Sequence, residues 1–264
     1  MKISTFLKTS KSLFLTQYSL MLEYRAEITL WALSGILPLI MLGIWLGSDS
    51  LKETFSDQQY LFRYFISAFV VRQFTAVWVM ISFEEDQIEG KLSSYLMHPI
   101  APFWRYFFAH IAEQVSRVPI VMIMLISLFI FIPGSFWVPT FPNIIISILT
   151  ILWAFTIRFL LHWTFSMLCF WNERISSIER LLLIPYIFLS GLVAPIEFLP
   201  RLLKYLAFIT PFPYIIYYPS CFLANNYSGF QTYLIISSIW TFLLIILSFY
   251  AWKLGIKKYS AMGA

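Results

Sequence analysis

Residues 84–99 read EEDQIEGKLSSYLMHP. Four carboxylates, Glu84, Glu85, Asp86 and Glu89, crowd its first half, while the chain before it (61–83) is almost wholly apolar and turns apolar again soon after Pro99. A soluble acidic island between two stretches able to cross a bilayer decides the fold, because it sets one water-exposed end for two consecutive spans. Read as a helix, the island places Ile88, Leu92, Tyr95 and Leu96 at i, i+4, i+7 and i+8, a single face, with the carboxylates mostly off it. His98 precedes Pro99, and a residue before proline is driven out of helical geometry, so the helix stops there. Gly90 costs roughly 1 kcal/mol relative to alanine inside a helix, which points to close approach or to a bend between two short helices. The bland reading is a solvated loop that happens to be helical. The functional reading is a docking helix for a cytoplasmic partner.

Composition supports the membrane setting. The 264-residue chain is 60% hydrophobic and 12% charged, with a mean hydropathy of +0.78. Soluble domains carry about 25% charged residues. The few charges fall between long apolar runs, the pattern of an all-α polytopic membrane protein. Abundant Phe, Tyr and Trp suit interfacial belts and lipid-facing surface. The net charge of +5 does not argue for nucleic acid, because the basic residues are scattered and mostly flank spans. Cys169 lies near one end of an expected span and Cys221 in a distant loop, so no disulfide framework is implied.

Taken in order, residues 1–27 keep an apolar period through Ile3, Phe6, Leu7, Leu13, Phe14, Leu20 and Met21, with Lys8, Lys11 and Ser12 between. This predicts a helix lying in the lipid interface rather than a secretory signal. Spans are expected over 28–47, 61–83, 106–132, 143–171, 181–196 and 232–254, with a cytoplasmic helix over 84–99. In the third span, Arg117 is expected to snorkel to the membrane surface, with Glu113 four residues earlier in the favourable order for an intrahelical pair. From Pro195 to Pro219 the chain holds five of its 13 prolines yet stays apolar. One straight spanning helix cannot carry that many, so short re-entrant or interfacial helices are expected on the outer side.

Lysines and arginines set the orientation. With both termini inside, the inner segments hold Lys2, Lys8, Lys11, Arg25, Lys91, Arg105, Arg174, Arg180, Lys253, Lys257 and Lys258. The outer segments hold Lys52, Arg201 and Lys204, with Arg63 at an outer helix end. This is the positive-inside asymmetry, and it places the acidic island in the cytoplasm.

Enzymatic motifs are missing from the sequence. Gly90-Lys91 lacks the upstream glycine of a phosphate-binding loop and is followed by Leu92 rather than Ser or Thr. His98, His110 and His162 show no metal-ligand spacing, and no nucleophile elbow occurs. What remains resembles the ABC-2 type permeases. The resemblance rests on Glu85 … Glu89-Gly90 … Leu96 … Pro99-Ile100, on Ser190-Gly191-Leu192-Val193-Ala194-Pro195 followed by Pro200 and Pro211-Phe212, and on the ending Tyr259-Ser260-Ala261-Met262-Gly263-Ala264, similar to one of the family's smaller bacterial branches. It implies the transmembrane subunit of an ATP-driven exporter in a bacterial inner membrane. It also implies a separate ABC ATPase that holds ATP and Mg, and a second permease subunit, identical or different, completing the path. The 84–99 helix, with Glu84, Glu85, Asp86, Ile88, Glu89, Gly90, Leu92, Tyr95 and Leu96, would then couple to the ATPase.

Two arginines fall near span centres. An arginine there costs roughly 2.5–3.5 kcal/mol on the insertion scale, so each needs a polar setting. Arg72 has Ala68, Thr75 and Ala76 as face neighbours, and Arg158 continues a stripe through Ala154, His162 and Ser166. These residues either line a path or subunit interface or serve the packing of the helices themselves. Glu197 is expected to pair with Arg201 at i, i+4. The competing functions are a non-transporting membrane scaffold or assembly factor, which needs no polar stripe and no coupling helix, and a membrane-embedded enzyme, which needs a catalytic cluster.

Overall fold

A computed structural model of the chain describes residues 3–47, 58–132, 136–172 and 174–259. All regular structure among them is helical. Residues 48–57, 133–135 and 260–264, the last holding most of the Tyr259–Ala264 ending, lie outside the described residues.

Helix α1 (Ile3–Glu23) packs mainly against the long α7 (Pro102–Phe131), where Phe6 meets Trp104 edge-on at 5.2 Å between ring centroids. Helices α2 (Arg25–Ser34) and α3 (Leu37–Leu46) together make the first candidate span, Ala26–Leu46. They join at Gly35-Ile36, with Pro38 in the first turn of α3, where a missing N–H costs no hydrogen bond. Helices α4 (Gln58–Thr75) and α5 (Val79–Ile88) form the second, Gln59–Ile88, broken at residues 76–78. After a left-handed Gly90 comes the short α6 (Lys91–Met97), then α7 as the third span. Helix α8 (Phe141–Ser166), prolonged by a 3-10 turn over Met167–Phe170, is the fourth, and α13 (Phe230–Gly255) closes the bundle. Helix α8 is the hub: it packs against α4, α5 and α13 and against the short helices Phe212–Ile215 and Tyr217–Leu223. The helices α7 and α13 turn rows of Ile, Leu and Phe outward, such as Ile123, Ile130, Ile235 and Phe242, as helices facing lipid do.

The segment between α8 and α13 departs from the expectation of a span over 181–196. The helix there, α9 (Ser176–Leu189), starts earlier and has 14 residues. At 1.5 Å per residue it covers about 21 Å, short of the roughly 30 Å of a hydrocarbon core. It ends at Ser190-Gly191, where φ of +94° at Gly191 reverses the chain. A 3-10 turn (Ile196–Phe198), α10 (Arg201–Ile209), α11 (Phe212–Ile215) and α12 (Tyr217–Leu223) follow. A 71° bend separates α10 from the α11–α12 pair. Helix α10 leaves Leu202, Tyr205 and Ile209 exposed, whereas every residue from Phe212 to Phe222 is buried. Among the described residues, five stretches are therefore long and apolar enough to span alone, and α10 together with α11–α12 is the bent candidate sixth.

Side-chain bonds fix which end of the bundle each piece occupies. The Glu84 carboxylate accepts from the backbone N–H groups of Ile175 (2.6 Å) and Ser176 (2.8 Å), so α9 starts level with the end of α5. At the other end of the segment, Asn225 accepts from Asn143 (2.6 Å), at the start of α8. Residues 176–223 thus run from one end of the bundle to the other, though no single straight helix does so. Glu197 accepts a hydrogen bond from the Tyr217 hydroxyl instead of pairing with Arg201 as expected.

Candidate functional site

The break at Ala76-Val77-Trp78 organises the interior. A helix end leaves carbonyls and N–H groups without intrahelical partners, and away from water each must find one. Helix α7 supplies them. The Trp78 N–H donates to Nε2 of His110 at 2.9 Å, and Nδ1 of His110 lies 2.7 Å from the Tyr106 carbonyl. A ring nitrogen that accepts from an amide carries no proton, so this geometry assigns the proton to Nδ1 and leaves the imidazole neutral. Arg117 donates to the Gln73 carbonyl at 3.2 Å and forms an ion pair with Glu113, which also receives Nε1–H of Trp78 at 3.2 Å. The Glu113–Arg117 pair expected from spacing is present. Arg117 does not snorkel, however: it is 1% exposed, turned into the protein by the pair and by the broken helix it serves.

Beside the break, α4, α5, α8 and α9 enclose a cavity of about 320 Å³. Arg72, Arg158 and His162 line it, so three of the four residues singled out in the spans come together. Ser166 does not join them; it is fully buried with its hydroxyl donating to the Trp163 carbonyl at 2.7 Å. Helix α9 adds Glu179, Arg180 and Tyr186. Arg158 donates to the Tyr186 hydroxyl at 2.7 Å, with its guanidinium 4.1 Å from the ring centroid. The Nε atoms of Arg72 and Arg158 and Nδ1 of His162 have no hydrogen-bond partner among the described residues.

The acidic island forms two short helices, not one. Gly90, at φ 70° in the left-handed region that disfavours other residues, ends α5 and starts α6. This breaks the expected continuous face. Leu92 is 0% exposed and packs in the chain's own core with Phe83, Tyr106, Trp163 and Ile175. Ile88, Leu96 and Met97 remain outside, Met97 at 82% exposure, beside exposed Glu85, Glu89 and Lys91. Tyr95 is half-buried. The four carboxylates also divide. Glu84 caps α9, and Asp86 accepts from the Tyr106 hydroxyl (2.7 Å) and the Tyr95 hydroxyl (3.3 Å). Glu89 pairs with Lys91 at the surface, and Glu85 is exposed. Partial burial and then the Asp86 charge hold the Tyr95 phenol above its ordinary range, so it stays a donor. Arg105 sits 4.0 Å over the Tyr95 ring.

Sequence reasoning missed His110, Gln73, Tyr186, Glu179 and Arg180. A signal existed for the first: His110, Glu113 and Arg117 stand at i, i+3 and i+7 on one face of an otherwise apolar helix, a polar stripe that needs polar backbone opposite it. No curated protein matches the chain. A family model described as ABC-2 family transporter protein matches residues 39–263, from the first span to the C-terminal end. With a bundle of five to six candidate spans around a charged interior cavity, the chain belongs to the ABC-2 transporter family, as a multi-pass transmembrane subunit of a transporter.

Proposed function

We propose that this chain is the permease subunit of an ATP-binding cassette exporter. It forms the translocation path with a second permease subunit, identical or different, in a bacterial cytoplasmic membrane, and both termini face the cytoplasm. A separate ATPase supplies the ATP and Mg site and docks on the end of α5 and on α6. The observation that carries this reading is the α5–α6 knob. Leu92 anchors it from inside, while Ile88, Leu96 and Met97 stay outside among Glu85, Glu89 and Lys91. An apolar patch with a charged rim, held on a rigid base, suits a protein interface.

The test is the Leu96→Asp/Met97→Asp double variant, expressed with an ABC ATPase that co-purifies with the native chain. The expected outcome is a monodisperse permease that has lost at least ten-fold in co-purified ATPase. Leu92→Ala serves as the contrast, since it lowers thermal stability by a cavity effect of about 2–5 kcal/mol without touching the exposed patch. Full co-purification and unchanged ATP hydrolysis by the double variant would refute docking at this surface.

A further inference from the structure

Arg72 is half-buried and Arg117 and Arg158 are buried in the spans, and the three are treated differently. Arg117 is neutralised by Glu113 and bonded to a backbone carbonyl. Arg158, 7% exposed, has a neutral phenol as its hydrogen-bond partner and an Nε left without one. Arg72 forms no ion pair among the described residues, and its Nε is likewise unsatisfied. Both of the latter open on the same cavity, where Arg180 at the α5–α6 end adds a third cation and Glu179 is the lone carboxylate in the lining. His162, buried, adds an unsatisfied Nδ1. Arg72, half-buried, and Arg158, buried, share this lining with Arg180 and a single carboxylate, Glu179, so the cavity keeps an excess of positive charge that an anion placed between the guanidinium groups would relieve. Guanidinium is also the side chain whose planar donors fit carboxylate and phosphate oxygens in pairs.

The rest of the lining is apolar: Val77, Ile81, Leu161, Leu182, Leu183 and Phe212. A cavity of about 320 Å³ is at the small end of ligand sites, room for a head group and the first part of a tail. We propose that this cavity binds the anionic head group, phosphate or carboxylate, of an amphiphile. Arg72 and Arg158 hold its oxygens, Arg180 attracts it at the mouth, and the apolar wall takes the start of the chain. Calling this ligand cargo rests on the exporter reading; the binding itself does not.

The experiment uses the purified full chain in phosphatidylcholine nanodiscs, without the ATPase. The probe is dodecyl phosphate carrying a diazirine beside its head group. Cross-links are expected on peptides containing residues 72–81, 158–162 or 179–186. Unlabelled dodecyl phosphate or dodecanoate should displace the probe at least ten-fold better than dodecyltrimethylammonium or inorganic phosphate. Arg72→Gln and Arg158→Gln should each weaken labelling ten-fold or more, with Arg63→Gln unchanged. Head-group selectivity is read on the native protein, so a misfolded variant does not decide the matter. Cross-links outside these peptides, equal displacement by the cationic amphiphile, or inorganic phosphate competing as well as dodecyl phosphate would each overturn the assignment. Because the ATPase is absent, such a failure leaves docking at α6 standing, and failure of docking leaves this binding untouched.

Discussion

Replacing Glu113 by glutamine tests how the broken second span is held. Arg117 is 1% exposed and the Glu113 carboxylate is its counter-charge. Removing one member of a buried pair leaves an uncompensated charge and costs about 3–5 kcal/mol. Glutamine keeps an oxygen for Nε1–H of Trp78, so the loss is mainly the charge itself. Adding Arg117→Met removes the stranded cation and leaves the Gln73 carbonyl without its donor, a cost of about 1–3 kcal/mol. The double variant is therefore more stable than the single one by about 2 kcal/mol. Heating the detergent-solubilised proteins and scoring the monodisperse fraction by size exclusion should rank native first, Glu113→Gln/Arg117→Met second and Glu113→Gln last. A Glu113→Gln midpoint equal to native, or a double variant no better than the single, would refute the pairing as the support of the break.

His110→Leu deprives the Trp78 N–H of its acceptor and should cost about 1–3 kcal/mol in the same thermal assay, with His110→Gln recovering part; equal melting of all three would show that the amide finds another partner. Gly191→Ala meets two obstacles, a φ of +94° and a new Cβ that would collide with the Tyr64 hydroxyl that donates to the Gly191 carbonyl; a loss of more than about 1 kcal/mol is expected, and a native-like midpoint would contradict the close approach. Single cysteines at Asp57 and Gly229, in a background lacking Cys169 and Cys221, should react with an impermeant reagent in intact cells, and one at Arg174 should not. Labelling at Arg174 would reverse the orientation.

Hydropathy made five spans legible because an apolar run of sufficient length has few other uses. It misplaced the remaining crossing because α9 and the α11–α12 pair are apolar for different reasons: the pair is packed inside protein, and the stop at Ser190-Gly191 depends on a contact with Tyr64 that is distant in sequence. Helical periodicity put Leu92 on the outer face because the count ran through Gly90 as if the helix continued; one left-handed residue resets the phase. Arg72, Arg158 and His162 were found from the cost of charge in a membrane, a rule that holds whatever the neighbours are. Tyr186 and Glu179 were not, since an ordinary helix residue becomes a cavity wall only through the packing of α9 on α5. The break itself carries no glycine or proline, and its support lies on another helix.

The Glu84 cap has a mechanical consequence. Its carboxylate ties α5 to the first turn of α9 through two charge-assisted bonds. Sliding α9 away from α5 would strip two amides of that acceptor together, so the two helices are tied at this point. Tyr186 sits roughly 15 Å along α9 from Ser176 and grips Arg158. Under the docking proposed at α6, a displacement passed to α5 would reach Arg158 through this cap and Tyr186, coupling one end of the bundle to the grip of the cavity.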